Sequence, residues 1–431
     1  MTAAAPIQPY TLPRRLLRAT GIALFLPSLF ALCLWLNTRN NDFPIAYHVD
    51  EPTKAQQVID NVRNYRHPQL LIELSQLAVR WWNTPLNAQD VAQTGRWVSA
   101  VLAALASVML ALCGYLVAGP AGMVLCGLSV GLCPSLLVYA HHMKEDAALA
   151  LGVSFTILAM AMVWRAPSSL GLVISSALLG LAVALAISAK FVGVAMLAPA
   201  IISLLVRRWP AWWALIVGPL LFLAVLTISV LLINHRALSD VAAAANILED
   251  EINLSMFTHR GVIMDRPNRF IVHVVWREVM PHAMVLAAFW SIIAIVRVAR
   301  RRPWSGLGIL LLLTIVYLGL VLSLGVLPFH RYGLPVVMLA YFASGLGAAM
   351  IVNALTGRAK LQAAASGAML LLNVGAQAPR CLDFLDQFRS DGRARVQEWV
   401  RSLPPRTRHP AEGFARLTWA PGMPPIAPVD L

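Results

Sequence analysis

The chain has 431 residues, of which 59% are hydrophobic and only 13% charged, and its formal net charge is +14. Charged residues make up about a quarter of an ordinary soluble domain, so this composition excludes one. The repeated apolar runs point to a single polytopic membrane domain, and no basic stretch interleaved with aromatics calls for nucleic acid.

About eleven spans are predicted, at residues 19–37, 96–118, 120–139, 147–164, 169–188, 191–206, 211–233, 280–298, 305–325, 333–353 and 362–378. At about 1.5 Å per residue, each helix would cross most of a hydrocarbon core about 30 Å thick. The fifth and sixth can also be read as one broken unit. The runs are continuous and do not alternate, which argues against a transmembrane barrel. The fold class is therefore an all-α polytopic membrane protein. The first span follows Arg14, Arg15 and Arg18, but no small-x-small pattern follows it, so it reads as an uncleaved anchor.

The first outer segment, residues 38–95, is long and amphipathic in two places. After Pro52, the residues Ala55, Val58, Ile59 and Val62 share a helical face. After Pro68, a second face holds Leu71, Leu74, Leu77, Ala78, Trp81 and Trp82. Tryptophan favours the membrane interface, so two helices lying flat on the outer leaflet are expected. Ahead of them stands Tyr47-His48-Val49-Asp50-Glu51-Pro52-Thr53-Lys54. Asp50 suits a helix cap with proline in the first turn. Capping leaves His48, Glu51 and Lys54 unexplained, and a carboxylate at a desolvated interface also suits a general base. Both readings stay open.

The loop between the third and fourth spans reads Tyr139-Ala140-His141-His142-Met143-Lys144-Glu145-Asp146. So many ionisable groups near lipid are costly, although Asp146 could simply cap the fourth span. A divalent metal is an open alternative here, since His142 with Asp50, Glu145 and Asp146 are ligand types for zinc or manganese. Lys190, in Ser188-Ala189-Lys190-Phe191, is a lone charge in an apolar stretch. It is either a snorkelling anchor or a site residue. Phe329-His330-Arg331-Tyr332 precedes the tenth span. The short outer connections near 144, 190 and 331 thus each carry a basic residue, where topology alone would keep them free of positive charge. Lys and Arg placed there suit an anionic lipid head group.

Residues 234–279 form a second long outer segment containing Glu249, Asp250, Glu251, His259, Arg260 and Asp265. Its expected role is acceptor choice. The division expected is a membrane catalytic domain over 1–378 and a short outer tail over 379–431, the latter starting with an amphipathic pattern at Leu382, Leu385, Phe388, Val396 and Trp399. The prolines near the end predict an irregular chain. The five cysteines show no metal or disulfide spacing.

With the N-terminus in the cytoplasm, the inner segments collect Arg14, Arg15, Arg18, Arg165, Arg207, Arg208, Arg297, Arg300, Arg301, Arg302, Arg358 and Lys360, 12 of the 34 basic residues. None of the 20 acidic residues falls there. The expected location is the bacterial inner membrane with the polar clusters on the periplasmic side.

No H-E-x-x-H, G-x-S-x-G or phosphate-loop motif is present. The order of the polar clusters instead resembles the GT-C superfamily of integral-membrane glycosyltransferases, nearest to the protein O-mannosyltransferases and the lipid A aminoarabinose transferases. The residues that carry the resemblance are Asp50-Glu51 after the first span, Lys144-Glu145-Asp146 after the third, Lys190 at a later outer end, and Arg331-Tyr332 with Pro335. It covers roughly residues 15–350 and implies an inverting transferase with a polyprenyl-phosphate sugar donor. Asp50 would be the base. Lys190 and Arg331, with His330, Lys54 and Lys144, would meet the donor phosphate. Glu51, Glu145, Asp146 and His142 would orient the acceptor or hold a metal. Implied partners are the lipid-linked donor and a glycan, lipid or protein acceptor, with no nucleotide or redox cofactor. The rival is a transporter or flippase, which would place ionisable groups at mid-membrane within paired repeats. Here they crowd at one face, and no repeat is evident.

Overall fold

The computed structural model describes residues 12–389 apart from 45–47, 49, 208–210, 257–269, 301–304 and 324–329, and also residues 399 and 402. Among the described residues there is no strand. Helix α1 (Leu12–Thr38) is followed by the two short helices of the first outer loop, α2 (Glu51–Ile59) and α3 (Leu70–Trp81). Helix α4 (Ala88–Gly131) carries two spans, broken at Gly119, whose φ of +71° is open to glycine, with Pro120 next. Next come α5 (Pro134–Ala140), α6 (Glu145–Arg165), α7 (Ser169–Ala189), a 3-10 segment Phe191–Met196, α8 (Leu197–Val206) and α9 (Trp212–Ile233). The second outer segment supplies α10 (His235–Ser239), α11 (Val241–Met256) and α12 (Phe270–Glu278). The chain closes with α13 (Pro281–Ala299), α14 (Ser305–Ser323), a 3-10 turn His330–Gly333, α15 (Leu334–Ala354) and α16 (Ala359–Arg389).

Each predicted apolar run is mostly helical where described, and eight of the described helices are long and apolar enough to cross a membrane. The run at 120–139 is split between α4 and α5, the run at 191–206 is a short two-part helix, and α16 is less apolar than the eight.

Helices α6 and α15 form the axis: 83% of each spanning window is buried, against 17% for α9. Small residues allow this. Gly152 of α6 lies against the Ala186 backbone of α7, and Gly345 of α15 lies against Cys126 of α4, so a side chain at either would collide with its neighbour. Helix α9 presents Leu220, Leu223 and Leu232 outward, as a lipid-facing helix does.

Helix α3 turns the other way from a soluble amphipathic helix. It buries Leu71, Ile72, Ser75, Gln76 and Val79 and leaves Leu77, Trp81 and Trp82 exposed. The apolar stripe read from the sequence therefore points mostly out of the protein. Helix α16 runs through the boundary expected at 378 and ends at Arg389, with Cys381 and Leu385 buried. Val396, His259, Arg260 and Asp265 lie outside the described residues.

The C-terminal ends of α1 and α7 meet the N-terminal ends of α6 and α15 at one end of the bundle, and α2 lies across them. Arg165, Arg207, Arg297, Arg300, Arg358 and Lys360 fall at the opposite helix ends.

Candidate active site

Glu51 opens α2 and is fully buried. A buried carboxylate must be paired and hydrogen-bonded. Arg96, itself fully buried in the first half of α4, donates from Nε to Glu51 Oε1 at 2.9 Å and from Nη2 to Oε2 at 2.6 Å. The backbone N–H of Met143 donates to Oε1 at 2.8 Å. Arg96 also donates to the Asn41 carbonyl at 3.0 Å, and its guanidinium lies 3.6 Å from the centre of the Phe43 ring. One carboxylate thus ties the start of α2 to the first loop, to α4 and to the 141–144 turn.

Asp50 occupies the cap position of α2, but its carboxylate makes no capping bond. It pairs instead with Lys144, and Arg331 Nη1 lies 3.5 Å from the same oxygen. Its backbone N–H donates to His48 Nδ1 at 3.2 Å. One turn into α2, Lys54 pairs with Glu145. Asp146 does not cap α6 either: it accepts from Lys190 Nζ at 2.8 Å. Lys190 is buried and sits 4.4 Å from the Tyr332 ring centre, so it does not snorkel outward. The first turn of α6 puts Glu145 and Asp146 where the helix dipole favours negative charge.

The four carboxylates Asp50, Glu51, Glu145 and Asp146 therefore face five basic side chains, Lys54, Arg96, Lys144, Lys190 and Arg331. The mouth is at Asp50 and Arg331, whose side chains are 34% and 22% exposed; the remaining paired side chains of this group are nearly closed to solvent. Burial lowers the lysines. It brings Lys144 to about 6, with Asp146 opposing and Arg331 and Lys190 adding to the fall. It brings Lys54 to about 7, again opposed by Asp146 and reinforced by Lys190 and Arg331.

His142 Nδ1 is 3.8 Å from Glu51 Oε1, and its ring centre is 4.8 Å from that of His48. Burial and the surrounding cations drive His48 far below the usual histidine value, so it is neutral. His330 opens the 3-10 turn that carries Arg331.

The structure brings Asp50, Glu51, Lys54, His142, Lys144, Glu145, Asp146, Lys190 and Arg331 into one cluster. The sequence reading missed Arg96. Its signal was a lone arginine at the outer end of a predicted span, where topology alone would keep positive charge away and a snorkelling anchor is the ordinary explanation. It also missed His67, which burial brings down to about 3 beside Lys54 and Lys190. Among the described residues, no three His, Cys, Asp or Glu side chains group as a metal donor set. Each carboxylate proposed as a ligand is held by a lysine or arginine instead.

The fold is shared with solved structures of GT-C integral-membrane glycosyltransferases. Among solved structures, the chain is similar to ArnT from Cupriavidus metallidurans bound to undecaprenyl phosphate, with a TM-score of 0.64 at 14% identity over 90% of this chain and 82% of that one. It is also similar to the archaeal oligosaccharyltransferase AglB from Archaeoglobus fulgidus in complex with an inhibitory peptide and a dolichol-phosphate, with a TM-score of 0.56 at 9% identity over 89% of this chain and 58% of that one. A structure of the Archaeoglobus fulgidus oligosaccharyltransferase in complex with Zn and sulfate gives a TM-score of 0.52 at 10% identity, over 88% and 55%. No protein-family model and no curated protein matches the sequence.

Proposed function

We propose that this chain is an inverting glycosyltransferase that moves a sugar from a polyprenyl-phosphate donor to an acceptor hydroxyl on the periplasmic membrane surface. The observation that carries the reading is that Lys144 and Arg331 meet on one carboxylate oxygen of Asp50 at the mouth. A phosphate entering there would engage these basic groups and leave Asp50 free to act. The undecaprenyl phosphate and dolichol-phosphate bound by the two solved neighbours are ligands of that chemistry.

In this reaction Asp50 accepts the proton of the acceptor hydroxyl. The hydroxyl oxygen forms its bond to the anomeric carbon as the bond from that carbon to the phosphate oxygen breaks, on the opposite face. The phosphate leaves with the electron pair. Arg331, Lys144 and Lys190 stabilise the charge that grows on it, within a site that excludes water. An apolar cavity of about 320 Å³, lined by residues including His67, Ile187, Phe191, Val230 and Leu248, adjoins the Lys190 end and would take part of the isoprenoid chain. Lysine side chains already pair with Asp50, Glu145 and Asp146, the carboxylates offered as metal ligands, and no step is assigned to a metal.

The test is to offer the purified protein, in lipid nanodiscs, polyprenyl-phosphate mannose, glucose, galactose and aminoarabinose in turn. Release of polyprenyl phosphate from one of them is expected, with a matching loss from the cell-surface glycan mass spectrum when the protein is deleted. No release from any donor and an unchanged surface spectrum would overturn the reading.

A further inference from the structure

The rings beside the site pack on a residue from far along the chain. Phe388 lies in the last turn of α16, beyond the stretch that resembles the GT-C family. Its ring stacks on Phe43 with centres 5.2 Å apart and planes 20° apart. It also stacks on His141 at 4.4 Å and 6°, and meets the edge of His142 at 5.7 Å and 68°. Three rings from the first outer loop and the 141–142 turn are thus arranged around one phenylalanine.

The helix end is anchored there by more than the ring. Asn40 Nδ2 donates to the Leu385 carbonyl at 2.8 Å, and Cys381 Sγ lies 3.2 Å from the Leu132 carbonyl. Leu385 and Cys381 are each 1% exposed and pack with Leu36, Leu132 and Leu137. The two ring nitrogens of His141 lie 2.7 Å from the Leu137 carbonyl and 3.0 Å from the Arg39 carbonyl, so its N–H can be given to either, and the ring sits against the end of α1.

From Phe388 two short routes reach the acidic pair. One runs through Phe43, whose ring covers the guanidinium of Arg96, to Glu51. The other runs through His142, whose ring packs on His48, to the Asp50 backbone N–H that His48 accepts. Both end at the first turn of α2. In that turn the Glu51 bonds tie α2 to α4, and Asp50 makes no cap.

We propose that Phe388 is a positioning residue: the end of α16 clamps Phe43 and His142 and so sets the first turn of α2, with Asp50 and Glu51, against the 141–144 turn. The clamp is a property of the fold. Its effect on transfer rests on the transferase reading above.

Hydrogen exchange on the full chain in nanodiscs tests the clamp without any assumption about activity. The reporters are the amides of Glu51, Lys54 and Met143, which bond to the His48 carbonyl, the Asp50 carbonyl and Glu51 Oε1. Phe388→Ala should speed their exchange about fivefold or more while amides inside α6 and α15 keep their protection, because local opening is separable from global unfolding. Phe388→Tyr, which keeps the flat ring, should restore slow exchange. Phe388→Leu keeps volume without the ring and should behave like the alanine variant, so a poorly folding alanine protein does not spoil the test. Unchanged exchange at the three amides in folded Phe388→Ala or Phe388→Leu overturns the clamp. In turnover, the alanine variant should lower kcat and leave the donor KM close to normal. A protein with no transferase activity but with the predicted exchange pattern would refute the transferase reading and leave the clamp standing.

Discussion

Asp50 and Lys144 show how a residue's role is set by partners distant in sequence. A cap and a general base look alike in the string Asp50-Glu51-Pro52. The cap is excluded because the carboxylate turns toward Lys144 and Arg331, neither of which is near it in the chain. Asp50→Asn keeps the shape and removes the proton acceptor. It should lower turnover by about 10²–10⁴-fold with membrane insertion intact, read by donor cleavage at equal protein level. Near-normal turnover would remove Asp50 from the base role. The lysines add a pH signature. Lys144 is lowered to about 6 and Lys54 to about 7, so both lose protons readily at neutral pH. An arriving phosphate favours the ammonium form. Donor binding at pH 8 should therefore take up protons, seen as calorimetric heats that depend on the buffer's ionisation enthalpy, and donor affinity should weaken as pH rises above about 7. Buffer-independent heats would contradict this. The linkage to stability has the opposite sense. Between about 6 and the ordinary lysine value of 10.5, the unfolded chain binds more protons than the folded one, so the Lys144 contribution rises with pH across that window.

At the scale of elements, the sequence identified each helix more reliably than the face it buries. The stripe of Leu71, Leu74, Leu77, Ala78, Trp81 and Trp82 was visible, but in a membrane protein an apolar stripe serves lipid as well as core. The structure buries Leu71, leaves Leu74 and Ala78 half-buried and turns Leu77, Trp81 and Trp82 outward. Periodicity alone carries no sign for that choice. The same limit hid Arg96. An arginine at the outer end of a predicted span reads as a snorkelling anchor, and only the fold shows it fully buried on Glu51. Removing one member of a buried pair leaves the other charge uncompensated. Arg96→Ala should cost about 3–5 kcal/mol of stability, read from denaturant unfolding in detergent. In the double variant with Glu51→Gln, the losses should sum to less than the two singles, because the second substitution relieves the charge left by the first. Strict additivity would mean that the pair does not hold α2 in place.

For the whole molecule, charge asymmetry was the most legible feature, because it depends on which helix ends share a side and not on side-chain contacts. Spans alternate direction, so the polar groups after odd-numbered spans meet at one end. That is enough to gather Asp50, Lys144, Lys190 and Arg331 before any packing is known. Which ion pairs form was not legible, since each joins separate elements. The arrangement makes a direct sidedness test available. Arg80 is exposed on α3 at the site end, whereas Lys360 is exposed at the start of α16. About 29 helical residues separate Lys360 from the end of α16 at the site, roughly 44 Å at 1.5 Å per residue. All five native cysteines are buried, so background labelling should be low. With the site facing the periplasm, a membrane-impermeant maleimide applied to spheroplasts should label Arg80→Cys at once and Lys360→Cys only after permeabilisation. That orientation follows from the basic residues at the opposite helix ends, which favour the cytoplasm. The reverse labelling pattern would put Asp50 on the cytoplasmic side. Soluble nucleotide sugars could then reach the acceptor, and the physical reason for a lipid-borne donor would disappear even if the fold and every ion pair in the cluster stood unchanged.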